Sequence, residues 1–152
     1  MKKLSLFALG LLATSTAYAE CHTQKTIPLS TWYKSSGGMF NVWVSNRSEQ
    51  DVNVQIKLHR TNGSLYTEAT EPGSNISVFG QFTSSPIEGE TVLAPNHSGW
   101  VYLPNGGNEE FGYAELTWTS EKCLTNPLTV STSYADLSGR FDWNHINVTQ
   151  GI

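Results

Sequence analysis

Hydrophobic and polar residues alternate along most of the chain after residue 20. The clearest run spans residues 52–58, where every second side chain is aliphatic and the others are polar. This period of two predicts a strand of an antiparallel sheet with one buried face. The side chains expected to face the core are Val52, Val54, Ile56 and Leu58.

An Asn62-Gly63 dipeptide follows this run. Between two alternating segments, Asn-Gly predicts a tight hairpin whose two central residues both have positive φ. Residues 65–70 are then expected to form the returning strand, paired antiparallel with residues 52–58.

Six further segments predict strands: 27–33, 40–45, 98–103, 114–119, 128–134 and 140–148. In the last, Phe141 and Trp143 are out of phase with Ile146 and Val148, so a bulge is expected near residues 144–145. Clusters of Gly, Pro, Asn and Ser separate the segments, and no helical period extends over ten residues. Seven to nine short strands predict a single-domain antiparallel β-sandwich over residues 20–152, with a small β-barrel as the alternative.

The N-terminal nineteen residues have the pattern of a bacterial signal peptide. Lys2 and Lys3 precede a short apolar run, and Ala17-Tyr18-Ala19 offers a cleavage site. The apolar run is shorter than the roughly 20 residues that a membrane-spanning helix needs. Glu20 precedes Cys21, where a lipoprotein signal requires a small residue. The mature chain is therefore expected to begin at Glu20 and to carry no membrane anchor. It is expected in the periplasm or the medium.

Charge narrows the choice of partners. The chain has 13 acidic and 9 basic residues, a net charge of −4, and Lys2 and Lys3 are lost with the signal peptide. An acidic chain without a basic cluster is a poor ligand for nucleic acid or for an anionic membrane.

The two cysteines are Cys21 and Cys123. A pair of cysteines in an exported protein predicts one disulfide. Their wide spacing does not fit a redox-active C-x-x-C pair.

Several segments resemble immunoglobulin-like accessory and adhesion domains of exported bacterial proteins. Val42-Trp43-Val44-Ser45-Asn46, followed by the alternating residues 52–56, resembles their opening strands, and residues 91–101 and 112–116 resemble later ones. The resemblance covers roughly residues 40–119. It implies an immunoglobulin-like sandwich and a role in binding, spacing or adhesion, although a fold alone does not assign a function.

No residue pattern predicts catalysis, a metal site or a cofactor. The four histidines match no zinc spacing, and no G-x-S-x-G motif occurs; the histidines are His22, His59, His97 and His145. Glu109 and Glu110 are adjacent, so their side chains are expected to point apart rather than to act as an acid–base pair. Asp136, Asp142 and Asn144 lack the charge density of a calcium loop. The chain is therefore interpreted as a protein that is not an enzyme.

Aromatic residues supply the candidate binding site. Trp43 is opposite in phase to Val42 and Val44, so it is expected on the outer face if the aliphatic residues point inward. Exposed aromatic rings beside amide and hydroxyl groups suit a sugar ring or a protein hot spot. Trp100 and Tyr102 are expected nearby, although Val101 and Leu103 compete with them for the inward face. The alternative for Trp43 is burial under a loop or in a second small core.

Trp118 shares the phase of Ala114 and Leu116 and is expected in the core.

The leading functional hypothesis is an exported binding or adhesion module for an unknown protein or glycan, with Trp43, Trp100 and Tyr102 at the site. One alternative is a sugar-binding protein or minimal hydrolase that uses Trp43, Trp100 and Trp143 as platforms. Another is a small toxin-like or inhibitor protein. Three or more coplanar exposed rings would favour sugar, whereas an apolar patch or a flat edge strand would favour a protein partner.

Overall fold

The computed structural model describes residues 20–35, 38–72, 76–103, 109–136 and 144–148. The predicted signal peptide, Phe141 and Trp143 lie outside these ranges. Within the described part the chain forms nine strands and no helix: β1 (His22–Lys34), β2 (Gly38–Asn46), β3 (Val52–Arg60), β4 (Ser77–Gly80), β5 (Thr91–Leu93), β6 (Ser98–Leu103), β7 (Glu110–Leu124), β8 (Leu128–Asp136) and β9 (Asn144–Val148). Accordingly, these residues contain no helix with the length and apolar character needed to traverse a bilayer.

The strands form two antiparallel sheets that pack into a sandwich. The four-stranded sheet has the order β1-β7-β3-β5, and the five-stranded sheet has the order β4-β6-β2-β8-β9. Neither sheet closes on itself, and the strands at their ends do not join the sheets into a barrel. The β-sandwich prediction is confirmed, and the barrel alternative is not.

The core lies between the inner faces of the two sheets. Val52, Val54, Ile56 and Leu58 on β3 are each at most 1% exposed, as their alternation predicts. Trp118 on β7 is 1% exposed and is also a core residue, as expected. Full burial of one such aliphatic side chain stabilises the fold by about 1.5–3 kcal/mol.

The turn after β3 differs from the predicted one. Gly63 has a φ of 83°, but Asn62 is not among the residues with positive φ. The Gly63 N–H donates to the Arg60 carbonyl at 2.9 Å, and the Arg60 N–H donates to the Ser64 carbonyl at 2.8 Å. This is a three-residue loop with glycine at its left-handed position, rather than a two-residue turn with two positive φ values.

The predicted returning strand over residues 65–70 is wrong. A single bridge joins His59 to Leu65, after which the chain turns. Two interactions explain the difference. The far side of β3 is already occupied, by β5 and by the Pro86 carbonyl, which accepts the Ile56 N–H at 2.8 Å. Tyr66 is also fully buried, with its ring 5.1 Å from that of Trp32, so the chain enters the core instead of following the sheet.

The predicted disulfide is present. Cys21 and Cys123 are bonded, with their Cα atoms 5.3 Å apart. His22 and Leu124, the adjacent residues, are register partners on β1 and β7. The bond therefore fastens the start of edge strand β1 to the end of its neighbour.

The last predicted strand is observed in part. β9 pairs with β8 over residues 144–148 of the predicted segment 140–148. The bulge expected near residues 144–145 depends on Phe141 and Trp143, which lie outside the described residues.

Candidate functional site

Strand β2 places Trp43 on the outer face of the five-stranded sheet. Val42 and Val44, its neighbours, are at most 1% exposed, whereas Trp43 is partly exposed. Successive side chains of a strand point to opposite faces, so the inward valines set the direction of the tryptophan. The predicted phase of Trp43 is confirmed.

Trp100 and Tyr102 on β6 lie on the same outer face. Val101 and Leu103 are each 1% exposed and take the inward positions, whereas Trp100 and Tyr102 are partly exposed. All three residues of the candidate site are thus on one face of one sheet.

Phe79 on β4 joins them and was missed in the sequence. Strand β6 pairs with β4 on one side and with β2 on the other. In these pairings Phe79 and Trp43 are both opposite Trp100. Phe79 is 48% exposed. Its strand has only four residues, too few for a period of two to be recognised. Trp43, Trp100, Phe79 and Tyr102 are called the aromatic face below.

Trp100 is stacked between its two cross-strand neighbours. Its ring centroid is 5.5 Å from that of Trp43, with 13° between the planes, and 4.8 Å from that of Phe79, with 30° between the planes. Rings lying side by side in one plane cannot approach so closely, whereas offset stacking allows this separation. Because Trp43 and Phe79 come from opposite sides, both faces of the Trp100 ring are covered.

Tyr102 completes the cluster at an angle. Its ring centroid is 6.1 Å from that of Trp100, with 59° between the planes. The rings of the aromatic face are therefore stacked and tilted, and they do not form one flat platform.

A buried amide fixes the orientation of the Trp100 indole. The Trp100 Nε1–H donates to Asn41 Oδ1 at 3.1 Å, and the Asn41 amide donates to Ser133 Oγ at 3.4 Å. Asn41 is on the outer face of β2 but is fully buried. A buried amide with both ends bonded specifies one arrangement of its neighbours, because any other leaves a polar group unsatisfied.

The strands that form this surface carry almost no charge. β2, β4 and β6 contain no Lys, Arg, Asp or Glu, and among the strands of the five-stranded sheet only β8 contains one, Asp136 at its end. Hydroxyl groups border the rings, for example Ser45 and Ser98, whose Oγ atoms are 2.7 Å apart. The aromatic face is thus an uncharged apolar surface with a rim of hydroxyl groups.

The outer surface of the four-stranded sheet is different. His59 stacks on Tyr113 at 4.4 Å and its Nε2 lies 3.4 Å from Glu115 Oε1, and Lys57, the register partner of Glu115, is on the same face. Arg60, by contrast, has the inward phase of β3 and lies over the Tyr66 ring, where its Nε donates to Glu110 Oε2 at 3.0 Å. His59 is on the polar face, as predicted. Phe111 and Tyr113 are exposed here, and Lys57, His59 and Glu115 share the face of Tyr113.

Comparison of the chain with family models, curated proteins and solved structures finds no match. The function is therefore inferred from the geometry of the molecule itself.

Among the described residues, no three His, Cys, Asp or Glu side chains are grouped so that they could hold a metal ion. Glu110 is engaged by Arg60, and the His97 Nδ1 lies 2.7 Å from the Pro95 carbonyl oxygen within its own turn. Asp142, from the weak calcium pattern, lies outside the described residues.

Proposed function

We propose that this chain is an exported, non-enzymatic binding module whose aromatic face docks another protein. The observation that carries the proposal is the stacked array of Trp43, Trp100 and Phe79 on an almost uncharged sheet.

The composition of the aromatic face supports a protein partner. The cores of protein–protein interfaces are enriched in tryptophan, tyrosine and phenylalanine and depleted of charged residues. Tryptophan and tyrosine also dominate the residues whose truncation weakens binding most. The aromatic face has both properties, and it is ordered in advance by ring stacking and by the Asn41 amide, which lowers the entropy lost on binding.

The arrangement of the rings argues against a sugar platform at the same place. A sugar ring stacks on the exposed face of an aromatic ring, but both faces of Trp100 are covered by its neighbours. The central ring of the aromatic face therefore has no free face for a sugar, whereas an uneven apolar surface suits the side chains of a protein.

Export is part of the proposal. The signal peptide predicted over residues 1–19 and the disulfide between Cys21 and Cys123 support an oxidising compartment, the periplasm or the medium. The resemblance to immunoglobulin-like adhesion domains implies the same kind of role.

A quantitative pull-down tests the proposal. The purified chain is immobilised and exposed to proteins of the producing cell's envelope and medium, and the same protein is applied to a glycan array. The variant carries Trp43→Ser with Phe79→Ser, and Tyr113→Ala is the matched control, an exposed aromatic residue on the other sheet.

We expect at least one protein to bind the wild-type chain and the control but not the double variant. Equal capture by all three forms would contradict the proposal. A glycan signal that only the double variant loses would identify the aromatic face as a sugar site instead. A toxin-like or inhibitor role would show in the identity of the captured protein.

A further inference from the structure

A second candidate binding site lies between edge strand β1 and the inner face of the five-stranded sheet. One extra residue is inserted in β1 between Pro28 and Thr31, where the register with β7 shifts. Such a bulge bends a strand, and Pro28 donates no ladder hydrogen bond there. The bend brings Ser30 to β8, where its Oγ lies 2.7 Å from Thr132 Oγ1.

A pocket of about 280 Å³ opens beside this hydroxyl pair. Its aromatic walls are Tyr33 of β1, Tyr134 of β8 and Phe40 of β2. The Tyr33 and Tyr134 rings have their centroids 5.5 Å apart and their planes inclined by 50°, so they form an angled wall.

Gly38 sets the position of Tyr134. A Cβ atom at residue 38 would overlap the hydroxyl end of the Tyr134 ring. The absence of a side chain at this position of β2 therefore lets the tyrosine ring lie across the neighbouring strand, where it forms the wall of the pocket.

The chemistry of the lining indicates the class of ligand. No charged side chain is among the described residues that line the pocket, so neither an anion nor a cation finds a partner there. The hydroxyl groups of Ser30 and Thr132 have two hydrogens between them, and one is used in the hydrogen bond that joins them. The other hydrogen and the remaining oxygen lone pairs can bond to a ligand. A purely apolar ligand would leave these groups unsatisfied.

The size of the pocket limits the size of the ligand. Pockets for drug-sized molecules measure about 300–1,000 Å³, and this one is slightly smaller, so it suits a single ring. We propose that the pocket binds one neutral sugar ring, stacked on Tyr33 or Tyr134 and hydrogen-bonded to the hydroxyl pair of Ser30 and Thr132. This site is separate from the aromatic face and does not depend on the protein-docking proposal.

Titration of the isotope-labelled protein, followed by NMR, tests the proposal. The probes are the methyl glycosides of glucose, galactose, mannose and N-acetylglucosamine, into the millimolar range, with cyclohexanol as an apolar ring of similar size. We expect at least one glycoside to shift the amide signals around Thr31 and Tyr33 in a saturable way and to bind more tightly than cyclohexanol.

Three variants separate the pocket from the rest of the surface. Tyr33→Ala is expected to weaken binding about tenfold, because it removes a stacking partner. Thr31→Trp places a bulky side chain at the exposed mouth of the pocket, so it is expected to block binding without disturbing the core. Tyr113→Ala, on the other sheet, is expected to leave the affinity unchanged, and thermal unfolding establishes that each variant is folded.

Three results would overturn the proposal. They are the absence of saturable shifts with every glycoside, binding that survives both Tyr33→Ala and Thr31→Trp, and equal or tighter binding of cyclohexanol.

Discussion

Trp43 and Trp118 show how the position of a single residue within its strand decides its environment. Both tryptophans lie on strands whose side chains alternate between the two faces. Trp118 is two residues from buried Leu116 and so points inward, whereas Trp43 lies between buried Val42 and Val44 and so points outward. This much was predictable, because strand alternation is a local property. Trp100 was also expected near Trp43, but the stacking of the two rings and the contribution of Phe79 were not predicted, because they depend on the pairing of strands distant in the sequence.

Asn41 is the residue whose role was least visible in the sequence. Strand alternation places it on the outer face beside Trp43, where a polar residue is ordinarily exposed, yet it is fully buried and links Trp100 to Ser133. Both of its hydrogen-bond partners lie on the neighbouring strands β6 and β8, so they follow from cross-strand pairing and not from the sequence of β2.

Replacement of Asn41 tests this link at the residue scale. Asn41→Leu leaves the Trp100 Nε1–H without its acceptor, so the free energy of unfolding is expected to fall by about 1–3 kcal/mol. Asn53→Ala, on the outward face of β3, is the control and is expected to change it by less than about 0.5 kcal/mol. Urea denaturation measures both, and an Asn41→Leu variant as stable as the wild type would show that the amide does not hold the indole.

At the scale of elements, alternation predicted the long strands well and the short ones poorly. The phase of β3 was correct, but its supposed hairpin partner turned into the core at Tyr66, and β5 and β7 took the two sides of the strand. Which strands pair depends on which distant segments compete for the free edge of β3. A local sequence pattern carries no information about that competition. The four-residue strand β4, which carries Phe79, was missed for lack of length.

The phase of β3 gives a direct test at this scale. Ile56 is fully buried, whereas Gln55 is on the outer face of the four-stranded sheet. Ile56→Ala is expected to lower the free energy of unfolding by about 2–5 kcal/mol, through lost burial and the cavity that remains. Gln55→Ala is expected to have a small effect. Similar losses for both, measured by chemical denaturation, would mean that the assigned phase is wrong.

At the scale of the whole molecule, charge separates the two outer surfaces. The outer face of the four-stranded sheet carries charged residues such as Lys57 and Glu115, register partners on β3 and β7, whereas the strands of the five-stranded sheet have almost no charge. The scarcity of charged residues in β2, β4, β6 and β8 is a property of the sequence. It could not be recognised as an uncharged surface before these strands were found side by side in one sheet. The likeness to immunoglobulin-like domains stays a prediction.

The disulfide also acts on the whole molecule, because 102 positions of the sequence separate its two cysteines. Closing so long a loop restricts the unfolded chain, and removal of a native disulfide typically costs about 2–5 kcal/mol. The variant with Cys21→Ser and Cys123→Ser is expected to unfold at correspondingly lower denaturant concentration. Mass spectrometry of the non-reduced protein should find two hydrogens fewer than in the reduced form, and two free thiols would contradict the assignment.

The central claim is that the aromatic face binds a protein, and the affinity of Trp43→Ala tests it most directly. Isothermal titration with the protein recovered by the wild-type chain is carried out beside Tyr113→Ala. Loss of a hot-spot tryptophan is expected to weaken binding by at least about 2 kcal/mol, roughly thirtyfold, while Tyr113→Ala binds like the wild type. An unchanged affinity would contradict the claim. So would a loss of about 3–5 kcal/mol in the free energy of unfolding of Trp43→Ala, since a core tryptophan behaves in that way.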